Sequence, residues 1–556
     1  MRHILLTVIM ALLPVMAHSA TYTVSTQGSD NNPGTAQSPW RTMQKAANTA
    51  VSGDTVLVQP GHYAERVIFP NSGTFGNPIT FQGTLGNGGS WDTIIDGSTS
   101  TSGWTTAPEI GSGVWKATLG SPQAMMSNGK TIWRIGDLSM TNGSGNTALA
   151  RSATAQVNTA AGQVFAWDGI EALFGNRSGI TYLRFRNGTN PSTMNVRSAP
   201  AGAVLTISSK NFITLKNFKV IGGQFAVRIT GTSQGTIIEN NYLTNGRNRI
   251  ILDAGGGSGT IIRNNKITLD AIGMVDFTPG DRNTLTYPRK VNRWMYDISK
   301  FLIGDTETND ASILISAGAA NTQVVGNEIY NGMMGIVYYG VTSNNVVSDN
   351  TFHNFSDIGI YMNADLVTLT VTGNLFYDAA HHMRLESMSR SHTIYIYTNR
   401  FHNPHYGPSG GGGKHVFIPP PGGNTSPTTV WVYHNSFAGG GWAVDLGGTA
   451  ERSFSFPLLH VLNNFISTNG ISSGGTGPIG ELASNYIDSL WFNNTMPDFV
   501  LPIGHNALGS GIDLMARGLP GMTTTYYQDG RPDIGAIQGI SQSTMPPPAR
   551  LRATIK

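Results

Sequence analysis

The sequence predicts an all-β fold, a parallel β-helix in which short strands wind into stacked coils. Three observations predict it. Charged residues make up 12% of the 556-residue chain, about half the ~25% of an ordinary soluble domain. Glycine is abundant at 69 residues, yet 39% of the chain is hydrophobic, enough to bury a large core. Asparagine recurs in a fixed frame through the second half of the chain, and the segments between are short β-branched runs of alternating polarity.

The chain opens with MRHILLTVIMALLPVMAHSA. Arg2, the apolar run Ile4 to Leu13 and the small residues Ala17, Ser19 and Ala20 have the order of a secretory leader. The run is too short to span a membrane, and no other stretch is long enough. Residues 1–20 are therefore expected to be removed, with cleavage after Ala17 or Ala20, and the product to be periplasmic or secreted. Residues 21–97 follow as an N-terminal cap and the first coils. Thr42 to Val51 is amphipathic and ends before Gly53, so it reads as a short helix closing the open end of a solenoid. Two strands then flank the turn Pro60-Gly61. Residues 98–200 break the repeat with short strands and turns and read as a β-rich insertion.

Residues 201–540 carry the repeat. The recurring residues are Asn241, Asn265, Asn327, Asn350, Asn374, Asn399, Asn435 and Asn464, and consecutive members lie as close as 23 to 25 residues apart. Such a period marks a solenoid, and short strands make it a β-helix. Each Asn is expected at an inward turn, bonded to its equivalents above and below. Stacked coils bring equivalent side chains ~4.8 Å apart, so columns of like charge would repel, which accounts for the scarcity of charge. The wider intervals 265–327 and 399–435 hold loops. The first includes Arg282, Arg289, Lys290, Arg293, Trp294 and Tyr296. Residues 541–556 form a proline-rich tail.

Composition excludes several functions. The chain has no Cys, so it has no disulfide, thiol nucleophile or Cys-bound metal. A net charge of +3 is too small to favour nucleic acid. There is no phosphate-binding Gly-Lys-Ser/Thr loop, metalloprotease helix motif or Gly-x-Ser-x-Gly elbow.

Aligning Gly335-Ile336-Val337-Tyr338-Tyr339, Gly359-Ile360-Tyr361-Met362-Asn363 and His382-Met383-Arg384-Leu385-Glu386 places Ile336, Ile360 and Met383 inside, with Tyr338, Met362 and Leu385 two residues on. The outward columns are Val337/Tyr361/Arg384 and Tyr339/Asn363/Glu386. The same alignment adds Asp253, Ser316 and Asp445 to the second column, and Lys414 or His415 from the strand after Glu386. His382, Arg384 and Glu386 are expected to point outward together, with Gly335 and Gly359 leaving room for a ligand above His382. In a chain so poor in charge, this strip is the candidate site.

Residues 21–69 and the segment Pro532-Asp533-Ile534-Gly535-Ala536-Ile537 resemble secreted right-handed parallel β-helix proteins, which include pectate-lyase-like and chondroitinase-B-like polysaccharide lyases and some glycoside hydrolases. The resemblance implies a right-handed solenoid and a carbohydrate-active protein, expected to be a monomer acting on a polysaccharide. In a β-elimination Arg384 would neutralise a uronate carboxylate or act as base, with His382, His415 or Lys414 as alternative bases and Tyr361 or Tyr339 as acid. Asn363, Arg289, Lys290, Arg293 and Trp294 would bind the sugar chain. Hydrolysis would instead pair Glu386 with Asp445 or Asp253. A non-catalytic polysaccharide-binding protein is the third reading. Lyases of this kind often hold Ca²⁺ in a carboxylate cluster. The nearest cluster here is Asp305, Glu307 and Asp310, which lacks a loop motif, so no cofactor beyond Ca²⁺ is in view.

Overall fold

Each coil turns three times because its sequence alternates strand-forming runs with residues that tolerate a left-handed backbone. A computed structural model describes residues 19–134, 157–158, 164–165, 171–244, 249–270, 311–316, 318–363, 368–386, 392–402, 404, 413–418, 428–439, 441–446, 459–467, 470–472, 479–487, 507, 510–522 and 534–535. In one representative coil, Asn345–Ser348 forms the first face. Asp349 then adopts φ 56°, and Thr351–Asn363 supplies the second and third faces in one long strand. Equivalent strands stack in parallel register. Among the described residues the first sheet contains thirteen strands, from Thr21–Val24 to Ile479–Ala483.

The expected asparagine ladder is present. Asn350 Nδ2 donates to Asn374 Oδ1 at 2.9 Å and to the carbonyls of Val324 and Ser348. Its backbone N–H donates to the same Asn374 oxygen at 2.9 Å. The pattern runs from Asn241 through Asn464 and ends on Asn485. The residue before each ladder Asn is left-handed, which suits Asn240, Asn264, Asp349, Gly326 and Gly373. Beside the ladder, Phe352, Phe376, Phe401 and Phe437 stack with ring centroids 4.7 to 4.9 Å apart. One continuous apolar core from Val24 to Ile466 fills the solenoid.

The N-terminal helix is Met43–Thr49, capped by Thr42, whose hydroxyl accepts from Lys45 N. Met43, Ala46 and Ala47 bury its apolar face in the core. Glu65 accepts from the N–H groups of Met43 and Gln44 at 2.8 and 3.0 Å, satisfying the helix start.

Among the described residues, eight short strands between Thr99 and Ala199, mostly antiparallel, form a separate sheet with its own core around Met125, Ile132, Phe174 and Leu183. Arg66 binds both ends of this insertion, donating to the carbonyls of Gly97, Pro200 and Ala201. Lys130 reaches Asp270 at 2.7 Å, tying the insertion to a coil.

Candidate active site

The outer side of the third face carries three aligned columns. Val337, Tyr361, Arg384, Phe417 and Asp445 pair in succession. Ser316, Tyr339, Asn363 and Glu386 form the next column, and Ile358, His381, Lys414 and Trp442 the one before. Both outward columns read from the alternation of residues 335–386 have this register. Ile336, Ile360 and Met383, with Tyr338, Met362 and Leu385, are fully buried in the core.

Glu386 is the hub of the strip. Tyr361 donates its phenol to Oε2 at 2.5 Å. Arg384 donates through Nε to Oε1 at 2.7 Å and through Nη2 to the same oxygen. The Arg384 guanidinium also lies 5.8 Å from the Tyr361 ring centre and 5.4 Å from that of Phe417. Lys414 Nζ sits 3.6 Å from the Phe417 ring centre and 2.6 Å from Asp445 Oδ2. His381 packs at 5.3 Å from the same ring. Phe417 is therefore an aromatic platform edged by an arginine, a lysine and a histidine. The Arg384 and Glu386 side chains are 32% and 22% exposed, so both are sheltered yet reachable. Tyr339 is 49% exposed. Burial pushes the Tyr361 phenol well above its ordinary value, and the bond to Glu386 adds to the shift.

Several expected placements are corrected. His382 and His415 do not face outward; both are fully buried, with Nδ1 atoms 3.0 Å apart among the rings of Phe376, Phe401 and Phe437. The coil bends at this point, and His382 and Met383 both turn inward, so simple alternation fails. Gly335 and Gly359 sit at the same bend, where an added Cβ would lie 2.4 Å from Gly359 O and 2.6 Å from His382 O. They allow close packing of the coils and leave no ligand space. Asp253 is also interior, 2% exposed. It pairs with Ile315, and Ala254 takes the outward place next to Ser316. Asp445 falls in the Arg384 column and not in that of Glu386. Its backbone is two strands across and two residues along from Glu386, roughly 12 Å at standard strand spacings.

His381 and Phe417 belong to the site although alternation did not select them. The signal was available: His381 is the other imidazole of the pair, and Phe417 aligns with Arg384 once the bend is placed. Arg289, Lys290, Arg293, Trp294 and the cluster Asp305, Glu307, Asp310 lie outside the described residues, as do residues 1–18 and 541–556. Among the described residues, no group of three or more His, Asp and Glu side chains can hold a metal ion. No described helix is long and apolar enough to cross a membrane.

Comparison with known proteins fits this architecture. A family model described as "Right handed beta helix region" matches residues 281–418. A second, "Protein of unknown function (DUF1565)", matches residues 26–101. Uncharacterized protein YwoF of Bacillus subtilis (strain 168) is 46% identical over 59 residues, which is 11% of this chain and 13% of that protein. A solved glycoside hydrolase is similar with a TM-score of 0.50 at 10% identity, covering 84% of this chain and 96% of that one. XylC, solved in complex with xylose, has a TM-score of 0.46 at 16% identity, covering 81% and 69%. Pectate lyase Pel9A has a TM-score of 0.42 at 11% identity, covering 94% and 97%. With three-faced parallel coils, an internal asparagine ladder and the family match over residues 281–418, the chain has the fold of a right-handed parallel β-helix.

Proposed function

We propose that this chain is an exported carbohydrate-active protein that cleaves an acidic polysaccharide by β-elimination on the outer face around Arg384. The observation that carries the reading is the Tyr361–Glu386–Arg384 network beside Phe417 and Lys414. Elimination requires a cation to stabilise the charge that develops when the proton alpha to a uronate carboxylate leaves, together with a base and an acid. Arg384 and Lys414 supply cationic groups, and Phe417 and Tyr339 supply apolar faces for sugar rings. With His382 and His415 in the core, His381 is the imidazole on this face, and in our reading it takes the proton. The C–O bond of the linkage breaks, the electron pair left on carbon forms the new double bond, and the leaving oxygen takes the phenol proton of Tyr361. Burial keeps that phenol protonated at working pH.

Hydrolysis by Glu386 with Asp445 or Asp253 is the second reading, disfavoured because Asp253 lies in the core and Asp445 is held by Lys414. Export is read from the leader, and a monomer is expected. The test is a panel of acidic and neutral polysaccharides incubated with the purified protein. Unsaturated products absorbing in the near ultraviolet are expected. Reducing ends without that absorbance would replace elimination by hydrolysis, and binding without turnover would remove both.

A further inference from the structure

We infer that export leaves Ala20 as the first residue of the mature chain, and that its new α-ammonium closes against the buried carboxylate of Asp54. The inference rests on the leader reading above. Asp54 is 1% exposed. Its Oδ1 accepts from Ala20 N at 2.8 Å and its Oδ2 from Val51 N at 2.8 Å. In the uncut chain both donors are neutral main-chain groups. A carboxylate at that depth ordinarily has a cationic partner. Cutting the Ser19–Ala20 bond turns one of the two donors into that cation without moving it.

The alternatives fit less well. Ala20 is bonded on both sides, since its carbonyl accepts from Thr55 N at 2.9 Å. Thr21–Val24 then continues in register with Thr55–Val58. Cleavage after Ala20 would strip both bonds and leave the Asp54 carboxylate with a single donor. Cleavage after Ala17 would leave an overhang of His18 and Ser19, Ser19 being exposed, and keep the Ala20 amide neutral. Ala17-His18-Ser19 has the small-x-small pattern that leader peptidases cut. In the step itself, water adds across the Ser19–Ala20 amide. Ser19 leaves as the carboxylate of the leader, and Ala20 becomes an ammonium.

The full 556-residue chain would be expressed in a bacterial host that exports it, and the exported protein examined by intact mass and N-terminal sequencing. Ala20 is expected as the first residue. A start at His18 or Thr21 overturns this inference and leaves export standing; a start at Met1 overturns both. A second measurement addresses the pairing. An amine-reactive ester at neutral pH should label the α-amine of the folded protein about tenfold more slowly than that of Asp54→Asn, because pairing lowers the free-base fraction. Equal labelling rates would overturn the pairing.

Discussion

Replacing Asp253 by Asn should stabilise the protein at neutral and alkaline pH while leaving turnover intact. Asp253 is 2% exposed inside the solenoid. Its carboxyl bonds the hydroxyls of Thr322, at 3.3 Å, and Thr260. Burial pushes it from 3.8 up to about 6. The folded state thus holds this proton more tightly than the unfolded chain. Its contribution is fully present below pH ~4, falls as pH rises and is lost above about pH 6. The gap of about two units corresponds to about 3 kcal/mol. An asparagine fits the same space, bonds the same hydroxyls and has no charge to bury. Urea unfolding of Asp253→Asn and the parent at pH 4, 6 and 8 would therefore show a difference that opens in favour of the variant across this range. Taking the difference cancels other titrating groups, including His415, which acts in the opposite direction. A variant equally or less stable at pH 8 would refute the buried-charge argument. Loss of turnover in a well-folded Asp253→Asn would show that this carboxylate reaches substrate.

The other predictions concern the strip and the scaffold. Arg384→Ala and Glu386→Ala should each abolish turnover with circular dichroism unchanged, and near-normal rates in both would remove the strip as the active site. Tyr361→Phe deletes the proton donor bonded to Glu386 and should lower kcat by roughly 10²–10⁴ with KM little changed; an unaltered kcat would assign the acid elsewhere. Asn350→Ala strands the buried N–H of Asn327, removes one acceptor of its Nδ2 and should cost at least ~2 kcal/mol in denaturant unfolding, more than an alanine at exposed Asn31. His415 is pushed down from 6.5 to about 3, by burial first and the nearby His402 second. Its folded value is depressed, so stability is lost as pH falls below about 6.5, and His415→Leu should flatten that acid limb; an unchanged limb would place the proton uptake on other groups.

The solenoid was legible because a coil is a short local pattern repeated by translation. Asn241 to Asn464 marked the turns, and a period of two within strands gave correct inward columns for Ile336, Ile360 and Met383. Register followed from counting back to each Asn. The short helix over Met43–Thr49 was legible for the same reason, since its cap and apolar stripe lie within ten residues. Alternation does not contain the bend between the second and third faces. There two consecutive side chains turn inward, so His382 and His415 face aromatic rings instead of solvent, although their polarity suggested the reverse. Asp253 was displaced by one residue in a coil without a glycine to mark the bend, and a shift of one changes faces. Sequence by itself determined the repeat, the ladder and the outward columns that carry Tyr361, Arg384 and Glu386. Only the tertiary structure decided which of those residues meet. The Tyr361–Glu386–Arg384 contacts and the ring of His381, Arg384 and Lys414 about Phe417 join residues of different coils, and their sides are set by bends that depend on the packing of neighbouring coils.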